Sequence, residues 1–224
     1  GGWVPAHAVK WMQGLGLDPG DVRRLRASYY GKIALIDRWF GEILAACERK
    51  GFADDLMIVF WSDHGEMAGD HDLLFKSRFF ESALRVPLVV RWPGHVEAGR
   101  TAGTLAETVD IAPTVLEAVG IEKPTRCLGR SLWPALRDPD VKVRDAAFSE
   151  VERAKRRSTM VRTERWKYAV HEDGEGYMLY DLAEDPEERN NLIGNPEFKS
   201  VEAEMRDLLL RFECEAQYVM RTGE

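Results

Sequence analysis

Two adjacent side chains that can bind a metal follow a short apolar run. Residues 56–61 are all apolar, and Asp63 and His64 follow this run after one intervening serine. Carboxylate oxygen and neutral imidazole nitrogen are both common ligands of divalent cations. In open α/β folds, ligands bind at the carboxyl ends of strands, where this pair would lie. The pair by itself is also typical of a turn-capping Asp beside a hydrogen-bonded His.

A lysine in the following loop adds a positive charge to this pattern. Lys76 lies 13 positions after Asp63, beyond a loop that contains two glycines. Such a loop can fold back and direct an ammonium group at the same site. A cation beside a metal neutralises charge on the peripheral oxygens of a transferring sulfuryl or phosphoryl group. In the same loop, Glu66 is either a support for a metal ligand or a solvent-facing turn residue. We expect His71 to hydrogen-bond across the loop rather than to bind metal.

The composition excludes two classes of partner. The 224 residues carry a formal net charge of -7, whereas a general nucleic-acid-binding protein needs a basic surface. No apolar run approaches the roughly 20 residues that span a bilayer. We therefore expect neither a nucleic-acid partner nor a membrane span, and the sequence leaves the cellular compartment open.

A long amphipathic helix precedes the metal-binding pattern. Asp18 or Asp21 can cap its start, and Lys50 with Gly51 can end it. Apolar residues recur every three or four positions, so they share one face that we expect to be buried. This face includes Val22, Leu25, Tyr29, Ile33, Ile36, Phe40, Ile43, Leu44 and Cys47.

The remaining elements predict an α/β fold with a change of architecture near residue 135. Residues 56–61 are apolar on both faces, which indicates a central strand of a parallel sheet covered by helices. A second strand over 86–92 and a helix over 111–119, capped by Asp110, follow. We therefore predict that 1–135 form part of a mixed, mainly parallel sheet flanked by helices.

Residues 136–224 predict a small α+β subdomain, an antiparallel sheet plus one helix. Its predicted strands cover 147–151, 158–162, 167–171 and 177–180, and its helix covers 196–212.

Five blocks of this sequence resemble the sulfatase family of the alkaline phosphatase superfamily, and they come in the family's order. The first runs from Trp61 through Asp63, His64 and Lys76 to Leu88. The others are Val109-Asp110-Ile111-Ala112-Pro113-Thr114, Gly129-Arg130-Ser131-Leu132, Arg162-Thr163-Glu164-Arg165-Trp166-Lys167-Tyr168, and Tyr180-Asp181-Leu182 with Asp185-Pro186-Glu188-Asn191-Leu192.

The resemblance implies a sulfuric ester hydrolase that acts on a small sulfate ester or a sulfated glycan. Asp63 and His64 match the Asp–Asn or Asp–His pair that helps to hold a divalent cation, usually calcium. Lys76 matches the lysine that contacts the sulfate. Because His in the second position also occurs in phosphonate monoester and phosphodiester hydrolases of this group, manganese or zinc is an alternative metal and phosphonate an alternative substrate.

The sequence departs from the family at the nucleophile. Family members form a formylglycine from a Cys-x-Pro-x-Arg or Ser-x-Pro-x-Arg motif, and no Cys, Ser or Thr of this chain begins one. The family's two N-terminal metal-binding aspartates have no match either. We therefore expect the C-terminal part of a sulfatase, inactive alone. A stand-alone, non-catalytic binding module is the alternative. As the C-terminal part of the fold, the chain would self-associate through an exposed sheet edge.

Overall fold

A computed structural model describes residues 18–153 and 156–223, and these form two compact units. One contains residues 18–76 and Ser82–Ala98, and we call it the helix unit. The other contains Ser77–Glu81 and the described residues from Gly99 onward, and we call it the sheet unit. Across the described residues, no helix combines the length and apolarity that crossing a membrane requires. The α/β fold class is confirmed, and the domain boundary near residue 135 stays a prediction.

The long helix of the helix unit forms where the capping residues predict it. Helix α1 spans Pro19–Arg49. The Asp18 carboxylate accepts the Asp21 N–H at 2.8 Å, and the Asp21 carboxylate accepts the Asp18 N–H at 3.0 Å. This reciprocal pair satisfies two amides that lack partners within the helix. Gly51 follows the helix with a φ of +75°, a left-handed stop that suits glycine.

The apolar face of α1 is at most half-buried, contrary to the burial that its periodicity predicts. No residue of α1 is fully buried; on this face Cys47 is half-buried, whereas Ile36 is 57% exposed and Ile43 is 59% exposed. The helix is much longer than either strand of this unit, since 31 residues of helix extend about 46 Å. The two strands of this unit have four residues each, or about 13 Å.

The two strands of the helix unit form one antiparallel pair. Strand β1 (Ile58–Trp61) pairs with β2 (Leu88–Arg91), with Ile58 opposite Arg91 and Trp61 opposite Leu88. Phe60 is 36% exposed and Trp61 46% exposed, so β1 is not the covered central strand that its apolar run predicts. Among the described strands, β1 pairs with β2 alone, so no strand is hydrogen-bonded to its second edge. Between the two strands lies the one-turn helix α2 (Glu81–Leu84).

The sheet unit contains the four predicted antiparallel strands in simple sequence order. These are β3 (Ala146–Arg153), β4 (Arg156–Thr163), β5 (Trp166–His171) and β6 (Gly176–Asp181). They follow two short helices, α3 (Ile111–Ala118) and α4 (Trp133–Arg137), and precede the long helix α5 (Lys199–Thr222). The strand and helix predictions for 136–224 are confirmed, with α5 ending ten residues beyond the end that its apolar pattern indicates.

One face of the four-stranded sheet and α5 share a core. Val161, Tyr168 and Leu179 point from three strands at Met205 and Leu209 of the helix, and all five are buried. Phe148 of β3 stacks on Phe212 of α5 with ring centroids 4.1 Å apart.

Asp110 stands at the start of α3, but its carboxylate makes other bonds than the predicted capping bond. Its carboxylate makes no capping bond to α3. It is fully buried, accepts the N–H groups of Glu107 (2.8 Å) and Arg130 (2.7 Å), and pairs with the buried guanidinium of Arg144. Asp110 stands at the N-cap position, as predicted. Its carboxylate does not cap the helix, because the buried Arg144 offers it charged hydrogen-bond donors instead.

Candidate functional site

The turn after β1 is fixed by a close backbone contact. The Gly65 N–H donates to the Ala83 carbonyl at 2.8 Å. A Cβ on Gly65 would lie 2.1 Å from the carbonyl oxygen of Ser82, so only glycine permits this approach. The turn that carries the predicted metal ligands therefore packs directly on α2.

Asp63 and His64 stand side by side at the carboxyl end of β1. The His64 Nδ1 lies 2.8 Å from the Gly65 carbonyl oxygen, and a carbonyl oxygen accepts only, so Nδ1 carries the hydrogen. In the neutral imidazole this leaves the lone pair on Nε2, which lies 3.5 Å from Oδ2 of Asp63. The Asp63 side chain is 82% exposed, and its Oδ1 accepts the His64 N–H at 2.9 Å. The two atoms that could bind a metal, His64 Nε2 and Asp63 Oδ2, are therefore held in position on side chains that are exposed to solvent.

Glu66 closes the base of the loop that leads to Lys76. Its Oε1 accepts the N–H of Ala68 at 3.2 Å and the N–H of Phe75 in a shorter bond. Beside it, the Met67 N–H donates to the Phe75 carbonyl at 2.8 Å, and Met67 is fully buried. Glu66 therefore braces the loop, a function that neither of its two sequence interpretations includes. Its support for a metal ligand stays a prediction.

An arginine of helix α1 forms hydrogen bonds to the middle of this loop. Arg26 donates through Nε to the Ala68 carbonyl and through Nη2 to Asp70 Oδ1, both at 2.8 Å. The other Asp70 oxygen accepts from Ser82 Oγ at 2.5 Å. These partners are 42 and 44 positions apart from Arg26 in sequence, so no local pattern could identify them.

The loop backbone is unusual around Lys76. Phe75 and Ser77, its two neighbours, have φ values of +67° and +69°. His71 lies in the one-turn helix Asp70–Asp72, with a φ of +52°. Left-handed backbone at non-glycine residues persists only where surrounding contacts impose it, and it concentrates at functional sites. Lys76 itself is exposed.

The structure therefore brings Asp63 and His64 together and braces the loop that carries the other predicted residues. Among residues 18–153 and 156–223, no group of three or more His, Cys, Asp or Glu side chains could hold a metal ion. Asp63 and His64 therefore offer two possible metal ligands, and no third His, Cys, Asp or Glu side chain of the described residues completes a group with them.

Two family matches identify the family. The sequence matches the Sulfatase family over residues 7–121 and the family described as N-sulphoglucosamine sulphohydrolase, C-terminal, over residues 69–215. This chain therefore belongs to the sulfatase family of the alkaline phosphatase superfamily, as its five sequence blocks indicate.

Curated relatives include an arylsulfatase and a multifunctional protein of the alkaline phosphatase superfamily. The chain is 34% identical over 206 residues to the multifunctional alkaline phosphatase superfamily protein PehA of Trinickia caryophylli, covering 84% of this chain and 40% of the relative. It is 32% identical over 186 residues to arylsulfatase K of Xenopus laevis, covering 78% of this chain and 34% of the relative. The chain thus spans about two fifths or less of the length of these relatives.

Solved structures show the same fold. A protein in complex with its substrate D-glucosamine-2-N,6-O-disulfate has a TM-score of 0.77 and 29% identity, with 83% of this chain and 39% of that chain covered. The phosphonate monoester hydrolase of Agrobacterium radiobacter has a TM-score of 0.80 and 35% identity, with 88% and 42% covered.

The bracing by Glu66 can be tested by amide hydrogen exchange. We expect Glu66→Ala to accelerate exchange at the Phe75 amide by about tenfold or more, because a charge-assisted hydrogen bond contributes roughly 1.5–3 kcal/mol. Glu66→Gln keeps an acceptor oxygen and should retain most of the protection. Equal protection of the Phe75 amide in wild type and Glu66→Ala would show that the loop does not need this carboxylate.

Proposed function

We propose that this chain carries part of the divalent-metal and sulfate site of a sulfuric ester hydrolase. The observation that carries the proposal is the arrangement of Asp63 and His64 at the end of β1 in a member of the sulfatase family. The His64 ring is held by Gly65 with its Nε2 3.5 Å from the Asp63 carboxylate. The substrate class would be a small sulfate ester or a sulfated glycan, since one related protein binds D-glucosamine-2-N,6-O-disulfate as its substrate.

The two donor atoms fit a shared divalent cation. Two electron-rich atoms in contact are stabilised by a positive charge beside them. Ligands at about 2.1–2.5 Å from one ion stand roughly 3 Å apart when their bonds are at right angles. The 3.5 Å separation is close to that value. Asp63 and His64 would hold the ion, which would polarise the ester's peripheral oxygens. We propose calcium, with manganese or zinc as the alternatives.

Within the chain, Lys76 would neutralise the developing charge. An ammonium held by a braced loop interacts with an anion more favourably than water does, because it need not reorganise during the reaction. The sequence contains no formylglycine motif, so the nucleophile is not a residue of this chain. The chain would contribute cation binding and charge stabilisation, and would be inactive by itself.

Metal binding can be measured on the chain directly. We expect calorimetric titration with calcium or manganese to show saturable binding that Asp63→Ala weakens by about tenfold or more, since removing even an outer-shell partner costs 10–100-fold. Asp207→Ala is the matched control, because Asp207 is an exposed carboxylate that pairs with Arg211 on α5. Identical titration curves for wild type and Asp63→Ala would exclude this pair as the metal site.

A phosphonate monoester or phosphodiester hydrolase is the second candidate function. Two observations favour it: the 35% identity to a phosphonate monoester hydrolase and a histidine rather than an asparagine at position 64.

Comparing sulfate and phosphonate esters in a polypeptide that contains this chain and a formylglycine nucleophile would separate the two functions. We expect higher kcat/KM on p-nitrophenyl sulfate. Lys76→Ala should lower it about 100-fold, the order expected for one lost electrostatic contact in the transition state. Lys142→Ala, at an exposed lysine paired with Glu164, is the control. A higher kcat/KM on p-nitrophenyl phenylphosphonate would assign the second function.

Self-association also stays a proposal, and exposed apolar surface supports it. In the helix unit, α1 exposes Tyr30, Ile33, Ile36, Trp39 and Ile43, and the strand pair exposes Phe60, Trp61, Leu88 and Val89. Contiguous apolar patches of this kind promote association. We expect sedimentation velocity to show dimers or larger species that dissociate on dilution. A single 25.5 kDa species at all concentrations would contradict this and would favour a stand-alone binding module.

A further inference from the structure

The five residues after Lys76 belong to the sheet unit, although Lys76 and the loop before it belong to the helix unit. Ser77–Glu81 packs with the described residues from Gly99 onward. Phe79 and Phe80 are buried, and the Phe80 ring lies 6.2 Å from that of Tyr180 on β6. The chain that leads away from Lys76 is therefore held by the four-stranded sheet.

A buried ammonium group makes the principal contact of this segment. Lys167 of β5 is 0% exposed, and its Nζ lies 2.6 Å from Oε1 of Glu81 and 2.5 Å from Oε1 of Glu188. The second Glu188 oxygen accepts the Glu81 backbone N–H at 2.6 Å. Glu81 is thus held through both its carboxylate and its backbone. We call Lys167, Glu81 and Glu188 the lysine clamp.

Burial and the charge of Lys167 act in opposite directions on the pKa values of the two carboxyl groups in the lysine clamp. Burial raises the pKa of Glu81, but the attraction of Lys167 and of Arg162, 3.2 Å away, outweighs it and lowers the pKa overall. Burial raises the pKa of Glu188 above its usual range, because Lys167 offsets only part of the cost. The clamp therefore depends on the charge of Lys167.

Such a cluster is better suited to fixing geometry than to adding stability. Replacing a buried ion pair by apolar residues of similar volume is often neutral or stabilising, because desolvation offsets the attraction. An apolar contact, however, would not fix Glu81 in one orientation. The contacts that Glu81 makes with Lys167 and Glu188 are directional and fix its orientation. Glu188 adopts a φ of +56° while it makes its bonds to Lys167 and to the Glu81 N–H.

We propose that Lys167 is a positioning residue for Lys76: the lysine clamp fixes Ser77–Glu81 and thereby the backbone from which the Lys76 ammonium extends. This rests on the proposed role of Lys76 as the sulfate-contacting lysine. It also gives a role to the sequence blocks around Lys167 and Glu188, which contribute no group to the metal pair itself.

The test uses the chain labelled with 13C-lysine, with the Lys76 Cε resonance assigned by its loss in Lys76→Arg. Methyl sulfate is titrated in calcium-containing buffer. The test variant is Lys167→Met with Glu188→Gln, which removes both charges together and leaves no uncompensated buried carboxylate at position 188. Lys142→Met, which breaks the exposed pair with Glu164, is the control.

In the double variant we expect the Lys76 resonance to move and the methyl sulfate dissociation constant to rise about tenfold, a modest misplacement effect. Amide protection of Tyr168 in the core of the sheet should stay as in wild type. An unchanged Lys76 resonance and dissociation constant in a folded double variant would overturn the proposal. If the double variant does not fold, Glu81→Gln, which keeps an acceptor for Lys167, should shift both readouts in the same direction, and no shift would overturn it.

The two proposals fail in different ways. If wild-type Lys76 shows no saturable response to methyl sulfate, its role in sulfate binding is wrong. The position and width of the Lys76 resonance without ligand then still report whether the lysine clamp positions it.

Discussion

A single buried ammonium group joins three distant stretches of this sequence. Lys167 is fully enclosed and bonds to carboxylates 86 positions before it and 21 positions after it. Moving such a charge out of water costs several kcal/mol, so it persists only with both partners in place. Strand β5, the segment after Lys76 and the loop after β6 must therefore adopt their positions together. The sheet unit has its apolar core on one face of the sheet and this ionic contact on the other.

Local elements of this fold follow from the sequence, because local chemistry decides them. The Asp18–Asp21 capping box, the Gly51 stop and the four strands of the sheet unit are each specified by neighbouring residues. Burial was predicted less well. The period of α1 shows which residues share a face, but it carries no information about what covers that face. The same holds for β1, where an apolar run indicated a central strand and the structure shows exposed Phe60 and Trp61.

The candidate site divides in the same way. Asp63 and His64 are adjacent in sequence and follow a strand, so their proximity could be predicted without a structure. The Arg26–Asp70 pair and the lysine clamp join residues from 21 to 107 positions apart, and nothing in either local segment specifies the other. The carboxylate of Glu81 is the clearest example of a contact that the local sequence does not specify. Its partners in the structure, Arg162 and Lys167, lie 81 and 86 positions later in the chain, where no local pattern indicates them.

The left-handed residues of the loop between Glu66 and Glu81 limit how this site could be moved to another protein. Ala68, His71, Asp72, Phe75 and Ser77 all have positive φ, at a cost on the order of 1 kcal/mol each. His and Asp tolerate this conformation better than Phe does. A peptide of this sequence alone would relax to ordinary backbone. Grafting the loop onto a different scaffold would therefore fail unless the arginine that holds its middle and the lysine that holds its exit were transplanted with it.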